Sequence, residues 1–422
     1  MRNIISGNNN SGISLDGSGG NIIQGNLIGT DAPGTAALGN TIYGIYIGGN
    51  STNNLVGGTE PDRGNIISGG HIRGILISGT TASNNRVLGN YIGTDISGTM
   101  PLGNEDGIRI ADAPNNIIGG TETGEGNVIS GNDVFGIVIS NSGATGNQVL
   151  GNKIGTDLSG TVALGNGTTG IFVGSSASGN IIGGTTTGAG NLISSNGLRG
   201  IQVSSGASNN QILGNFIGTD VTGTVDLGNG ADGIMIHNAP DNIIGGTASG
   251  ARNLISGNDD NRVSVLVDGA TGNQIIGNYI GTDITGASVL GNLKGVQIWS
   301  ALNNTVSGNI IHYNTSYGVI IDNSVAENNT LTQNSITDNG EGHLDRGILL
   351  RNSANIDISA PAITDVTANQ VVGTSTAPDS STIEIFQDTG DQGNIYISVR
   401  RLYRAMPSHS PALHPPVQPA GI

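Results

Sequence analysis

The stretch GNLIGTDAPGTAALGN at 25–40 returns as GNYIGTDISGTMPLGN (89–104), GNKIGTDLSGTVALGN (151–166), GNFIGTDVTGTVDLGN (214–229) and GNYIGTDITGASVLGN (277–292). The aspartates of the five copies stand at 31, 95, 157, 220 and 283, so the separations are 64, 62, 63 and 63 residues. A second motif lies between them: LVGGTEPDRGNIISGG (55–70), IIGGTETGEGNVISGN (117–132), IIGGTTTGAGNLISSN (181–196) and IIGGTASGARNLISGN (243–258). Both are followed by tetrads such as GIYI (44–47), GILI (74–77), GIRI (107–110) and GIVI (136–139). Each period thus holds two half-repeats, and each half-repeat holds three short apolar stretches. They are too short and too broken by glycine for helices, and they alternate apolar with polar residues, which is strand periodicity.

A unit of this size cannot bury its own apolar face, so neighbouring units must cover it. The expected fold is therefore all-β, a three-sided parallel β-helix. Eleven to twelve coils spaced by about 4.8 Å would give a rod on the order of 55 Å long. The NxIxGN…GIxI pattern over 1–357 resembles the right-handed parallel β-helix repeats of pectate-lyase-like proteins and of bacterial secreted surface proteins. The resemblance implies a right-handed solenoid. It leaves function open, because such solenoids include lyases, hydrolases, epimerases, adhesins and inert fibres.

The double-coil repeats run to about 303, and shorter coils continue to 357. Asn26, Asn90, Asn152, Asn215 and Asn278, with Asn65, Asn127, Asn191 and Asn253 in the alternate coils, mark one corner. Asparagine tolerates left-handed backbone angles, and its amide can bond the asparagine stacked above, so these columns are structural. Residues 358–397 change character and resemble the opening strands of an immunoglobulin-like module. Residues 398–422 hold five of the 12 prolines and read as an irregular or frameshifted tail. Residue 2 enters a coil in mid-course, so the chain is expected to be a piece of something longer or to associate end to end.

Composition excludes several partners. A net charge of −16 with only two lysines, Lys153 and Lys294, leaves no basic stripe for nucleic acid. The absence of cysteine rules out disulfides and zinc–thiolate sites. No apolar run approaches the roughly 20 residues of a membrane span. An extracellular or cell-surface location is expected.

Few residues carry chemistry. The carboxylates Asp31, Asp95, Asp157, Asp220 and Asp283 form the one candidate calcium column, and no other cofactor is implied. The competing reading is that each aspartate accepts backbone N–H groups in a tight turn. That reading is favoured, because copies two coils apart are roughly 9–10 Å from each other. Asp259 and Asp260, an adjacent acidic pair beside Arg262 in the most irregular coil, are the weak catalytic candidates. A hydrolase resembling this family would show NTD, DD, GHG and RIK; only DD occurs. Leu27, Tyr91, Lys153, Phe216 and Tyr279 form one outward column, and Tyr46, Phe172 and Trp299 lie on another side; aromatic residues so placed stack on sugars or on each other. The threonines 30, 94, 156, 219 and 282 also raise an ice-binding array.

The near-uniform repeats favour a non-catalytic secreted or cell-surface structural or adhesive rod. The alternative is a carbohydrate-active enzyme (a polysaccharide lyase or glycoside hydrolase) or a glycan-binding protein. Either would act on a polysaccharide or cell-surface glycan along one solenoid face, and the discriminating feature is a cleft over one sheet.

Overall fold

The computed structural model describes residues 2–60, 62–70, 72–340, 347–352 and 354, with only the backbone at 261 and 262. Beyond these it describes the backbone of four strands, Ala362–Thr367, Gln370–Thr374, Thr382–Gln387 and Ile395–Arg401. They pair antiparallel in twos. The expected immunoglobulin-like segment and the tail lie for the most part outside the described residues.

The chain forms the expected right-handed three-sided parallel β-helix. Its strands alternate in strict rotation among three parallel sheets of 12, 12 and 11 strands. Sheet A takes the two-residue strands after each GN, such as Tyr91–Ile92 and Lys153–Ile154. Sheet B takes the GIxI strands, such as Phe135–Ser140. Sheet C takes strands such as Gln148–Leu150. In-register stacking places like on like: Ile28, Ile67, Ile92, Ile129 and Ile154 form an interior column on sheet A, each fully buried. Paired columns on sheet B, among them Ile108 with Ile110 and Ile137 with Ile139, and a column on sheet C that includes Val87 and Ile118, close the core. β-Branched side chains suit this packing, since their restricted rotamers fit a pleated surface. At one corner, between sheets B and C, a column of alanines (Ala82, Ala113, Ala144, Ala177) is small enough to let the backbone turn.

All three corners are held by buried asparagines, not just the one marked in the sequence. The marked ladder runs from Asn3 to Asn334 before sheet A. In it each amide donates to the next side-chain oxygen, as in Asn127 to Asn152 (2.8 Å) and Asn152 to Asn191 (3.0 Å). A second ladder precedes sheet C, including Asn85, Asn116 and Asn147. A third precedes sheet B, including Asn104, Asn132 and Asn166, and is interrupted where Gly70 stands in place of the asparagine. Most of these amides also bond backbone carbonyls, as Asn116 does to Ala82 O, so nearly all polar atoms of the corners are satisfied inside the wall, with Asn104 Oδ1 the buried exception. Alternate sheet C strands, such as Ile117–Gly119 and Ile181–Gly183, end on glycine because the next coil comes too close for a side chain. A Cβ on Gly119, at φ +86°, would lie 2.0 Å from the Leu150 carbonyl oxygen.

In the first coil the interior Ile5, Ile13 and Leu15 are only partly buried, and the outward Ile4 and Ile22 are 50% and 67% exposed. No helix among the described residues is long and apolar enough to cross a membrane.

Candidate functional site

Two of the three corners carry loops, and both flank sheet A. The GTDxxGTxxLGN segment leaves sheet A on one side. It closes as a small hairpin in which Thr94 bridges Pro101 and Thr156 bridges Ala163, both antiparallel. The GGTxxxGxGN segment enters sheet A on the other side in the alternate coils. Repeats two coils apart would be separate if these loops stood upright, but they lean along the axis and touch. Leu158 N–H donates to Gly98 O, Val221 N–H to Gly160 O and Ile284 N–H to Gly223 O, each at 3.0 Å. The GTD loops therefore fuse into one wall; the GGT loops stack closely into a second, a Cβ at Gly188 falling 2.2 Å from Thr121 O, and the outward face of sheet A is the floor between them.

The result is a groove of about 880 Å³ over the N-terminal half of the sheet. Ile96, Leu158 and Val221 of the GTD loops make an aliphatic wall. Thr59, Glu60, Asp62, Thr121 and Glu122 make the opposite, polar wall. The floor includes Tyr91, Val128 and Lys153, in register through Val128. Burial holds the Tyr91 phenol above its ordinary pKa, with Arg2 pulling the other way. Lys153 is the one charged group in the floor column, and it makes no ion pair among the described residues. Lys294, by contrast, lies 4.0 Å from Asp260. Arg2 enters at the N-terminal end and pairs with Asp62 at 2.9 Å. Of these residues the sequence had marked Tyr91 and Lys153. The acidic wall was missed, because Glu60 and Glu122 share the GGTE position in only two of the four motif copies, Thr186 and Ala248 stand there in the others, Asp62 occurs in the first copy alone, and only stacking brings them to one side.

The aspartate column belongs to the wall that carries it. The Asp157 carboxylate accepts from the Ser159 hydroxyl at 2.7 Å and from the backbone N–H groups of Thr161 and Val162 at 3.3 and 3.2 Å. Asp95, Asp220 and Asp283 repeat this with Ser97, Thr222 and Thr285. Asp31 uses backbone donors alone. In the four hydroxyl-capped copies desolvation pushes the carboxyl pKa up, and the hydroxyl and N–H donors outweigh it; all five are held below the ordinary value. Each carboxylate is thus engaged by its own loop. Among the described residues no group of three or more His, Asp or Glu side chains is placed to share a metal ion. The threonines before these aspartates are fully buried, with each hydroxyl donating to the carbonyl of the next residue, so no ice-binding array reaches the surface.

Asp259 and Asp260 lie at the corner leading into sheet B, outside the groove, with backbone N–H groups bonded to Asn229 and Ala231. The Arg262 side chain is outside the described atoms.

No protein-family model and no curated protein matches the chain. Among solved structures, the periplasmic alginate epimerase AlgG is similar at 13% identity, over 77% of this chain and 79% of that one, with a TM-score of 0.39. The Azotobacter vinelandii mannuronan C-5 epimerase AlgE4 A-module is 17% identical over 80% of this chain and 90% of its own, TM-score 0.39. The AlgE6 A-module of the same organism is 18% identical over 78% and 89%, TM-score 0.39. Similarity at this level concerns coil stacking, and the fold rests on the strand pairing described above. The expectation of a non-catalytic structural or adhesive rod is nonetheless corrected. The repeats that looked uniform build a walled cleft over one sheet, the feature that separates the alternative from a plain spacer.

Proposed function

We propose that this chain is a carbohydrate-active protein that takes a polysaccharide along the outer face of sheet A, outside the cell or at its surface. The observation that carries the reading is the groove itself, with one aliphatic wall, one hydroxyl- and carboxylate-bearing wall, and a floor offering Tyr91 and an unpaired Lys153. A sugar chain is amphipathic in the same sense. Its CH faces suit the aromatic ring and the aliphatic wall, and its hydroxyls suit threonine and carboxylate acceptors. The groove runs parallel to the strand-stacking direction, as an extended polymer requires. Glu60, Asp62 and Glu122 on one wall, with Tyr91 and Lys153 below, are the groups available to move a proton at a bound sugar.

The test is affinity electrophoresis and calorimetry against a panel of uronate and neutral polysaccharides. The panel is scored for turnover through new reducing ends, unsaturated products or altered sugar composition. Tyr91→Ala with Lys153→Ala should weaken binding of the retained polymer at least about tenfold, the loss expected from one stacking contact and one charge-assisted contact. Unchanged binding by the double variant, its β-sheet spectrum intact, would sink the proposal.

A further inference from the structure

The groove leaves unused the outward aromatic residues of sheet B. Tyr46 stands on the second strand of that sheet, Phe172 on the sixth and Trp299 on the tenth. The intervals are four strands each, about 19 Å at the usual strand spacing. Two of the rings lie down along the strand rather than standing up from it. A Cβ at Gly48 would fall 2.0 Å from the Tyr46 hydroxyl oxygen, and one at Gly174 would fall 2.4 Å from a Phe172 ring carbon. Each ring occupies the space where the second next side chain would be, so one ring face rests on the strand and the other turns outward. Tyr43 extends the first platform, with its ring 5.9 Å from Tyr46 and inclined by only 24°. Trp299 is 41% exposed.

We infer that the outer face of sheet B is a second glycan-contact surface, which takes an extended, neutral polysaccharide on the rings at Tyr46 and Phe172, which share one register column, and at Trp299, two residues along its strand from that column. Charge decides between a neutral and a charged polymer. Among the described residues, cations of this face are matched by carboxylates of the chain: Arg73 and Arg109 lie 3.5 Å from Asp106, Arg199 lies 3.3 Å from Asp232 and Lys294 lies 4.0 Å from Asp260. A charged ligand would have to displace those pairs, whereas a neutral one needs only ring faces and hydrogen-bonding groups. Gln202 and Gln297, in the ring column between and beside the platforms, supply the latter. Covering a glycine is the structural use of such a ring, but it does not account for Trp299, which covers none and stays open to solvent on the same axial spacing.

Trp299 is the only tryptophan in the chain, so its fluorescence reports on this face alone. The full chain is titrated with hydroxyethylcellulose, glucomannan and xylan. Saturable change in Trp299 emission with protection from acrylamide is expected for at least one. Tyr46→Leu with Phe172→Leu keeps an apolar cover over both glycines but removes the ring faces, and should weaken that response about tenfold. Trp299→Ala, at an exposed position, should weaken gel retardation by the same polymer. Tyr91→Ala with Lys153→Ala must leave the Trp299 response in place, which separates this surface from the groove. The inference is overturned if no neutral probe changes Trp299, if the Leu variants respond like the parent, or if the groove variant abolishes the signal. A Trp299 shift that depends on protein concentration alone would assign the face to a second copy, and would equally overturn it.

Discussion

Replacing Asn152 with alanine tests whether the corner ladders hold the solenoid together. Asn152 is 1% exposed. Its amide donates to Ile118 O at 2.9 Å, Leu150 O at 3.0 Å and Asn191 Oδ1 at 3.0 Å. Its oxygen accepts the Asn127 backbone N–H at 3.0 Å and the Asn127 amide at 2.8 Å. Alanine removes all five. The Asn127 amide keeps Val87 O, and Asn191 keeps the Asn152 backbone N–H, so those side chains stay partly satisfied. The Asn127 backbone N–H is left buried without its acceptor, which costs about 1–3 kcal/mol, and the lost carbonyl contacts add about 1 kcal/mol each. The total is about 3–5 kcal/mol. Coils contact only their neighbours, so the loss should be local, opening coils near residue 152 before the ends of the rod. Urea unfolding followed by circular dichroism measures the total, and amide hydrogen exchange at Asn127 and Asn191 locates it. A loss below about 1 kcal/mol with Asn127 still protected would refute the reasoning.

Three further outcomes follow from the same geometry. Gly183→Ala, at φ +82° with a Cβ 2.0 Å from Leu213 O, should cost about 2–5 kcal/mol through left-handed strain and backbone collision, read as a lowered urea midpoint. The loop aspartates have folded pKa values below their unfolded ones, so their stabilisation is complete above the unfolded value of 3.8 and is lost as pH falls through the folded values. Asp106, raised by burial against the pull of Arg73 and Arg109, acts in the opposite sense, its contribution being lost as pH rises through its folded pKa. Thermal melts should therefore fall steeply only below about pH 4, and Asp157→Asn should flatten that fall. Chelator treatment should shift the melting temperature by no more than about 2 °C. A larger drop, restored by calcium and absent in Asp157→Ala with Asp220→Ala, would show the column holding an ion.

The sequence alone determined the coil. A 63-residue period, three apolar stretches per half-repeat and glycine at every break leave no fold but a stacked one, because no single repeat can bury its own isoleucines. It also placed the first asparagine column, since stacking in register repeats whatever residue stands at a corner. The other two ladders were equally present as letters, in NN before sheet C and in LGN or SGN before sheet B. They went unmarked because the residues before these asparagines vary from coil to coil, as in SNN, PNN and TGN before sheet C. What only the tertiary structure decided is the surface. Loop copies that are 63 residues apart in sequence lean together through single backbone hydrogen bonds, and this converts five separate turns into one wall. Glu60 and Glu122 hold a motif position that is not acidic in the other copies, and Lys153 reads as a break in an aromatic column; they meet because both loop-bearing corners flank the same sheet. The period fixes which residues stack, since stacking follows the number of residues per coil. Which side the loops lean to, and so where the cleft opens, depends on contacts between coils that no single repeat contains.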